Sequence, residues 1–420
     1  MVLSKGVGWV KSMGNIKKFI KSHPNLFASL KHGLLYVRYG SALLQRDKYR
    51  QLERCQYQRL IDIKENRHHC YFGYYDKSPV NSSGTLATFL RIKDGSKETD
   101  TADVCVYDLQ TKVIKVVGHT NTWNWQQGCM LQWVNDNTVS FNSHENGRYV
   151  ATRIDVHSRE TTNTNRAVYF YNHSLTKYLS LNFYRLDIYA KGYGYPYQVD
   201  SMGYDKDGIW EVDVKSDASK LILSLKDVMA HEAKDYMECQ HYINHVAYCP
   251  DERYIIFIHR WQVKGGEFVS RLIKYDTERG VLMTLLDNDH VSHYCWKSPD
   301  ELLIYATNGK GEKGYMVVNI LTGGTAMVEG LPDEDGHPSY SKDGKWILTD
   351  TYPNNGRKQY LFLFNVKEKK LMKLDALHSP IKYFNENRCD LHPRWSMDNK
   401  YICVDNTATG LRSLKLYQIA

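Results

Sequence analysis

One short stretch is written several times along this chain of 420 residues, and that repetition limits the fold more than any other feature. Residues 335–352 read DGHPSYSKDGKWILTDTY. They hold a His, an aromatic three residues on, a tight turn and a run of strand formers. In the turn, Lys342-Asp343-Gly344, glycine accepts positive φ and the Asp side chain can bond its own backbone. Trp346 to Thr349 have the aromatic and β-branched character of a strand. Residues 390–406, DLHPRWSMDNKYICVDN, repeat the pattern. It recurs as His245-Val-Ala-Tyr248 before YIIFI and as His293-Tyr-Cys-Trp296 before LLIY. The four histidines, with His337 and His392, stand 48, 44 and 55 residues apart. Two upstream copies lack the His: Met130-Leu-Gln-Trp133 precedes TVSFN, and Lys77-Ser-Pro-Val80 precedes LATFL.

Each copy is followed by a second pair of strand-like pieces with a polar turn between them, as in DVCVYDLQTKVIKVV and QYLFLFNVKEKKLMKL. Four strands per unit at a period of roughly 40–50 residues is the signature of a β-propeller. The expected fold is therefore all-β, with seven four-stranded blades over 71–118, 126–165, 166–228, 241–288, 290–330, 335–375 and 388–420. The third unit carries an insertion around Tyr193 to Tyr204. The last unit is one strand short, and Arg59-Leu-Ile-Asp-Ile63 would complete it, removing an exposed sheet edge. The domain reading is a basic arm, 1–57, and a propeller, 58–420, closed by an N-terminal strand.

Charge separates the same two parts. The net charge is +8, yet residues 1–60 hold twelve Lys/Arg against Asp47 and Glu53. The remaining 43 basic and 45 acidic residues nearly cancel, which argues against a nucleic-acid partner. In the arm, Trp9, Val10, Met13, Ile16, Phe19 and Ile20 share one helical face, and Lys residues lie mostly off it. His23-Pro24 breaks that helix, a second helical pattern follows, and a third, polar one runs to about Arg54. Such an arm suits either an anionic membrane surface or docking on the body. No apolar run reaches about 18 residues, and the N-terminus lacks a signal-peptide pattern. The nine Cys form no CxxC pair and are an odd number, so they read as small buried hydrophobes in a reducing compartment. The expected location is cytoplasmic, peripheral to the inner membrane if the arm binds it.

In a propeller, a residue just ahead of a blade's innermost strand points toward the channel mouth. His245, His293, His337 and His392 hold that place in four successive blades, which makes them one candidate ring. Facing imidazoles can bind a transition metal or share metal binding with proton transfer; a repeated His can equally be a structural bond to the next blade. Loops between second and third strands open on the same face. They place Arg91, His144, Arg148, Arg260, Trp261, Tyr352, Asn354 and Arg357 there, and the insertion adds Tyr193, Tyr195 and Tyr197. Arg clamps carboxylates and aromatic faces stack on sugar rings, so an acidic oligosaccharide or polysaccharide is the expected partner.

The units HPSYSKDGKWILTD and HPRWSMDNKYICVD resemble TolB-type propeller repeats. The His-bearing copies, including NHVAYCPDERYIIFIHRW, resemble the oligogalacturonate lyase family, and HHCYFGYYDKSP at 68–79 is similar to a motif of propeller proteins from polysaccharide gene clusters. The likeness covers roughly 68–420. It implies a seven-bladed propeller holding a divalent metal, manganese rather than zinc or calcium, through His and Gln, with another His as base and no organic cofactor. By that resemblance His293, His337 and His392 are the metal candidates and His245 the base. Where Gln would stand beside His392, this chain has Asp390 and Leu391. The implied reaction is β-elimination on a uronate, with Arg260 or Arg357 holding the carboxylate. Two other readings stand beside the lyase: a non-catalytic glycan-binding propeller in envelope polysaccharide synthesis, and a protein-interaction platform.

Overall fold

The computed structural model describes Gly33, Tyr36, Tyr39, Gly40 and residues 47–419, other than 235–238, 263–267 and 289. Of the arm helices expected before residue 47, the described residues include Gly33, Tyr36, Tyr39 and Gly40, all helical, and the rest lie outside them. Seven four-stranded antiparallel sheets follow one another around the chain. Blade 1 spans 68–120, blade 2 132–164, blade 3 170–224, blade 4 241–286, blade 5 291–327 and blade 6 339–378. Blade 7 takes three strands from 394–418, and Arg59–Ile63 pairs with Ser413–Gln418 as its outer strand. The fold is the expected all-β propeller. The third helical pattern of the arm does not extend past residue 46: 47–58 form a turn and an extended segment. There Asp47 accepts a hydrogen bond from Tyr360, Lys48 pairs with Glu334, and the Tyr49 ring packs on Tyr360 and Phe362.

The second strand of a blade is buried on both faces because the neighbouring blades pack against each. That is why these strands read as unbroken apolar runs rather than alternating ones. Ile255, Ile256, Phe257 and Ile258 are all fully buried, as are Leu302, Leu303 and Ile304. At about 1.5–3 kcal/mol for each such side chain, this face-to-face packing is the main stabilising term. The repeated turns are equally local in origin. In blade 6 the Ser341 N–H donates to the Trp346 carbonyl at 2.9 Å, and Gly344 sits at φ 69°. The matching position in blade 7 is Asn399, φ 59°, the residue type that best tolerates this conformation after glycine. The repeat aromatics clasp adjacent blades: Trp133 Nε1 donates to the Pro79 carbonyl and Trp395 Nε1 to that of Ser339. All nine Cys are free thiols, six of them buried.

Candidate active site and metal centre

The first position of the repeat is kinked in three of its copies. Met130, His245 and His392 take left-handed backbone conformations, φ 54°, 50° and 44°, in otherwise extended segments. Around His245 the strand register shifts between Asn244 and Ala247. A non-glycine residue held there costs on the order of 1 kcal/mol or more, and neighbours hold it in place: the His245 N–H donates to Tyr169 Oη at 2.9 Å. The kink turns the side chain into the channel.

The four imidazoles meet there. Ring centroids are 5.2 Å apart for His245–His293, 4.1 Å for His293–His337 and 4.4 Å for His337–His392. All four are buried. Blade 1 has no His at this level, and its chain projects residues 72–76 into the gap. Tyr74 closes the circle, 5.1 Å from His392 and 5.6 Å from His245, with its hydroxyl 2.9 Å from His245 Nδ1. Tyr75 donates to the Tyr294 carbonyl and accepts from the Tyr294 N–H. This plug is held by the Asp405 carboxylate, which accepts from the Phe72 and Gly73 N–H groups and pairs with buried Arg394 at 3.0 Å. Gly73, φ 121°, has no room for a side chain, since a Cβ would lie 2.7 Å from the Gln127 carbonyl carbon.

Within the ring three groups have the chemistry of a metal centre. One donor atom each of His337, Asp390 and His392 lie within 4.8 Å of one another. His337 Nδ1 bonds the Asp350 carboxylate at 2.9 Å, and His392 Nδ1 donates to the Gly73 carbonyl at 2.7 Å. These bonds fix both rings with Nε2 turned away, the arrangement that orients imidazole ligands. His337 Nε2, His392 Nε2 and Asp390 Oδ1 are buried with no hydrogen-bond partner. Leaving three such atoms unpaired is costly in a protein interior, and a divalent cation would satisfy them together. His293 borders the trio; its Nδ1 is 3.0 Å from Ser292 Oγ and 3.6 Å from Asp335.

Electrostatics divide the ring. Burial, with repulsion from His293, holds His245 well below the ordinary imidazole range. Burial and His337 push His293 down to about 4, and burial lowers His392 strongly. For His337 burial acts the same way, but Asp350, Asp390 and Asp335 together outweigh it and hold the imidazole above its usual value. His245 is thus a neutral ring at working pH.

The remaining residues expected at the mouth fall into two groups. Arg260 and Tyr352 stand at the ring: the charge of Arg260 acts on His245 and His293, and the Tyr352 ring is 5.6 Å from His337. Tyr352 and Asp335 also line a cavity of about 510 Å³ that reaches Tyr49 of the arm. The others lie elsewhere. Arg357 is buried, with its guanidinium bonded to Ser379 and the Tyr383 carbonyl, so it clamps a loop rather than a carboxylate. Tyr195 is fully buried against Phe183, and Trp261 is buried beside His259, so neither offers a face to a sugar. Arg91 is spent on Asp103 and Glu65. His144 stacks on Tyr197, Arg148 lines a separate cavity with Arg166 and Asp200, and Asn354 caps its own loop through the Lys358 N–H. Tyr74, Asp390, Asp350 and Arg388 carry no sequence expectation as site residues. The signal for Tyr74 is its place in the quoted 68–79 motif, and for Asp390 its position two before a ring His.

No family model matches the chain, and no curated protein matches its sequence. Among solved structures, an oligogalacturonate lyase in complex with manganese superposes with a TM-score of 0.63 at 16% identity, over 88% of this chain and 99% of that one. An oligogalacturonate lyase from Vibrio parahaemolyticus gives 0.62 at 14% identity, over 90% and 96%. A puromycin-hydrolysing peptidase of Mycobacterium tuberculosis gives 0.50 at 8%, over 87% of this chain and 55% of that one. The likeness establishes a propeller fold similar to that of the two oligogalacturonate lyases.

Proposed function

We propose that the protein is a lyase acting on an acidic, uronate-containing oligosaccharide or polysaccharide by β-elimination. The observation that carries this reading is the pairing, in one buried ring, of a neutral imidazole with three unpaired donor atoms from His337, Asp390 and His392. The similar fold of two oligogalacturonate lyases, one described with manganese, supports it.

In this reading His245 is the base. β-Elimination begins with loss of the proton α to the uronate carboxylate, which needs an unprotonated base near neutral pH. The local field keeps His245 in that state, and Tyr74 Oη, bonded at its Nδ1, fixes the plane of the ring. Charge then accumulates on the carboxylate as an enolate. A divalent cation held by His337, Asp390 and His392, with manganese favoured because a similar lyase is described with it, would supply Lewis-acid stabilisation there. Arg260, anchored by Asn244 and the Val291 carbonyl, adds positive charge on the His245 side. The walls of the ring exclude water from the carbanion-like species, so elimination competes with simple reprotonation.

The test is incubation of the full chain, with added manganese, on galacturonate oligomers and a panel of other acidic glycans. The expected product is an unsaturated sugar absorbing in the ultraviolet, absent with chelator and with His245→Ala. No product from any member of the panel would sink the lyase. Glycan binding without turnover would leave a binding propeller in its place.

A further inference from the structure

Arg388 has no assigned role, and its surroundings are specific. Its backbone is fixed from two blades: its carbonyl accepts from Gln126 Nε2 at 2.8 Å and Arg412 Nη2 at 3.0 Å. Its side chain is mostly buried and lies over the Tyr352 ring at 5.6 Å. Nε donates to Asp390 Oδ2 at 2.7 Å, on the carboxylate whose other oxygen belongs to the unpaired donor trio. Nη2 donates to the Tyr193 hydroxyl at 3.0 Å. Nη1 makes no hydrogen bond among the described residues.

Tyr193 comes from the blade-3 insertion, which leaves the strand Lys177–Ser180, forms the helix Phe183–Tyr189 and returns at Gly208. The helix is tied down by Asn182, which caps it, and by the buried ion pair of Arg185 with Asp207. Beyond it the chain turns through Gly192, φ 88°, and Gly194, where a Cβ would collide with the Asp187 backbone. Between these two glycines Tyr193 is carried over the channel, 6.5 Å from the Tyr74 ring. Tyr74 is in turn bonded to His245. Tyr193 therefore links Tyr74, which is bonded to the base, with Arg388, which is bonded to the carboxylate of the donor trio.

A phenol is a poor partner for that guanidinium. Burial raises the Tyr193 pKa, so the hydroxyl stays neutral and offers one acceptor to a planar fork built for two oxygens. A carboxylate would accept from Nη1 and Nη2 together, and charge-assisted paired bonds are roughly twice as strong as neutral ones. From this geometry we infer that Arg388 is the residue that recognises the substrate's carboxylate, with Tyr193 occupying that place until a uronate displaces it. The insertion thereby sets selectivity for acidic over neutral sugar rings. The inference deepens the lyase reading and shares its site, but it concerns binding alone.

Calorimetric titration of the full chain tests it, using a galacturonate disaccharide and the neutral galactose disaccharide, with manganese and with chelator. Tyr193→Phe removes the competing hydroxyl and keeps the ring. Uronate binding should tighten by roughly threefold to tenfold, with neutral-sugar binding and manganese affinity unchanged. Arg388→Gln should reduce the preference for uronate over neutral sugar by roughly tenfold or more. A preference unchanged in Arg388→Gln overturns the inference, as does a Tyr193→Phe that shifts both sugars equally or neither. Should Arg388→Gln fail to fold, Tyr193→Phe decides alone. Product formation together with an unchanged preference sinks this inference and leaves the lyase standing. Arg388-dependent uronate binding with no product from any acidic glycan does the reverse.

Discussion

Met130 in blade 2 and His392 in blade 7 occupy the same position of the repeat, and their backbones agree, φ 54° and 44°. Both side chains are buried, one in an apolar cluster and the other in the histidine ring. The aromatic three residues later makes the same inter-blade bond in each case, Trp133 to Pro79 and Trp395 to Ser339. The kink therefore does not depend on a histidine standing on it, and His293 and His337 reach the ring without it. What differs is the demand left at the tip of the side chain. Met130 is satisfied by packing, whereas His392 carries an unpaired Nε2 beside two other unpaired donors. The scaffold places the position, and the residue on it decides between core and chemistry.

The comparison breaks most severely where scaffold and site share a residue. Asp405 holds the channel plug through two backbone N–H groups and pairs with Arg394, both side chains almost fully buried. Asp405→Ala strands a buried guanidinium and should cost about 3–5 kcal/mol, read by denaturant unfolding, with metal binding lost as well because Gly73 orients His392. A cost below about 1 kcal/mol would mean the plug is held by packing alone. His392→Met makes blade 7 imitate blade 2 and separates the two roles. The variant should fold with a stability change within about 1 kcal/mol, the range of volume-conserving changes, and, on the metal-centre reading, lose stoichiometric metal by elemental analysis. Retained manganese would remove His392 from the donor set. Asp350→Asn acts one shell further out, through His337 Nδ1. It should weaken manganese binding by about 10–100-fold while the metal-loaded protein still binds with one-to-one stoichiometry.

The same division governs what could be read from the sequence. The blades were legible because their signals are local: alternating or unbroken apolar runs, Asp-Gly and Asp-Asn turns, and a fixed distance from His to aromatic. The ring histidines were legible through repetition alone. Mouth residues are not, because the second and third strands run further than their apolar residues indicate. Arg91, His144, Arg260 and Trp261 lie within strands, Leu86–Lys93, Thr138–Glu145 and Tyr254–Gln262. Side chains there alternate between faces, so Arg260 reaches the ring while Trp261 turns into the core. Tyr195 and Tyr193 are two residues apart in the insertion, yet the first packs on Phe183 and the second reaches Arg388. Nothing in composition separates them. Tyr74 acquires its role only from His245 and His392, far away in sequence, and Asp390 completes its trio only with His337 of the preceding blade.

Acid should expose the buried imidazoles of the scaffold. Burial pushes His69 and His241 down to about 4, and holds His245 and His259 well below the usual 6.5. Because these folded-state values are depressed, the unfolded chain binds protons between pH 6.5 and about 4 that the folded chain refuses. Stability therefore rises with pH through that window and is lost as pH falls. The melting temperature should drop steadily from pH 7 to pH 5. His337, raised by Asp350, acts in the opposite sense and only partly offsets the others. A melting temperature flat over this range would mean that folded and unfolded chains take up protons alike, so that burial does not hold these rings neutral.

The smallest effect on stability should be the most informative about the site. Tyr74→Phe keeps the ring that packs against Tyr75, His245 and His392 and deletes only the hydroxyl near His245 Nδ1. A lost hydrogen bond of this kind costs about 1 kcal/mol, and the plug itself, held by Asp405, should stay in place. His245 would then keep its position but lose the bond that fixes its plane and tautomer. On the lyase reading, product formation falls through kcat with KM little changed, and the acidic limb of the pH profile moves, because the proton on His245 no longer shares Tyr74. A merely structural tyrosine would lower the melting temperature and leave that limb where it was. The two outcomes separate a blade residue filling a channel from a working part of the base, the distinction drawn by Met130 and His392.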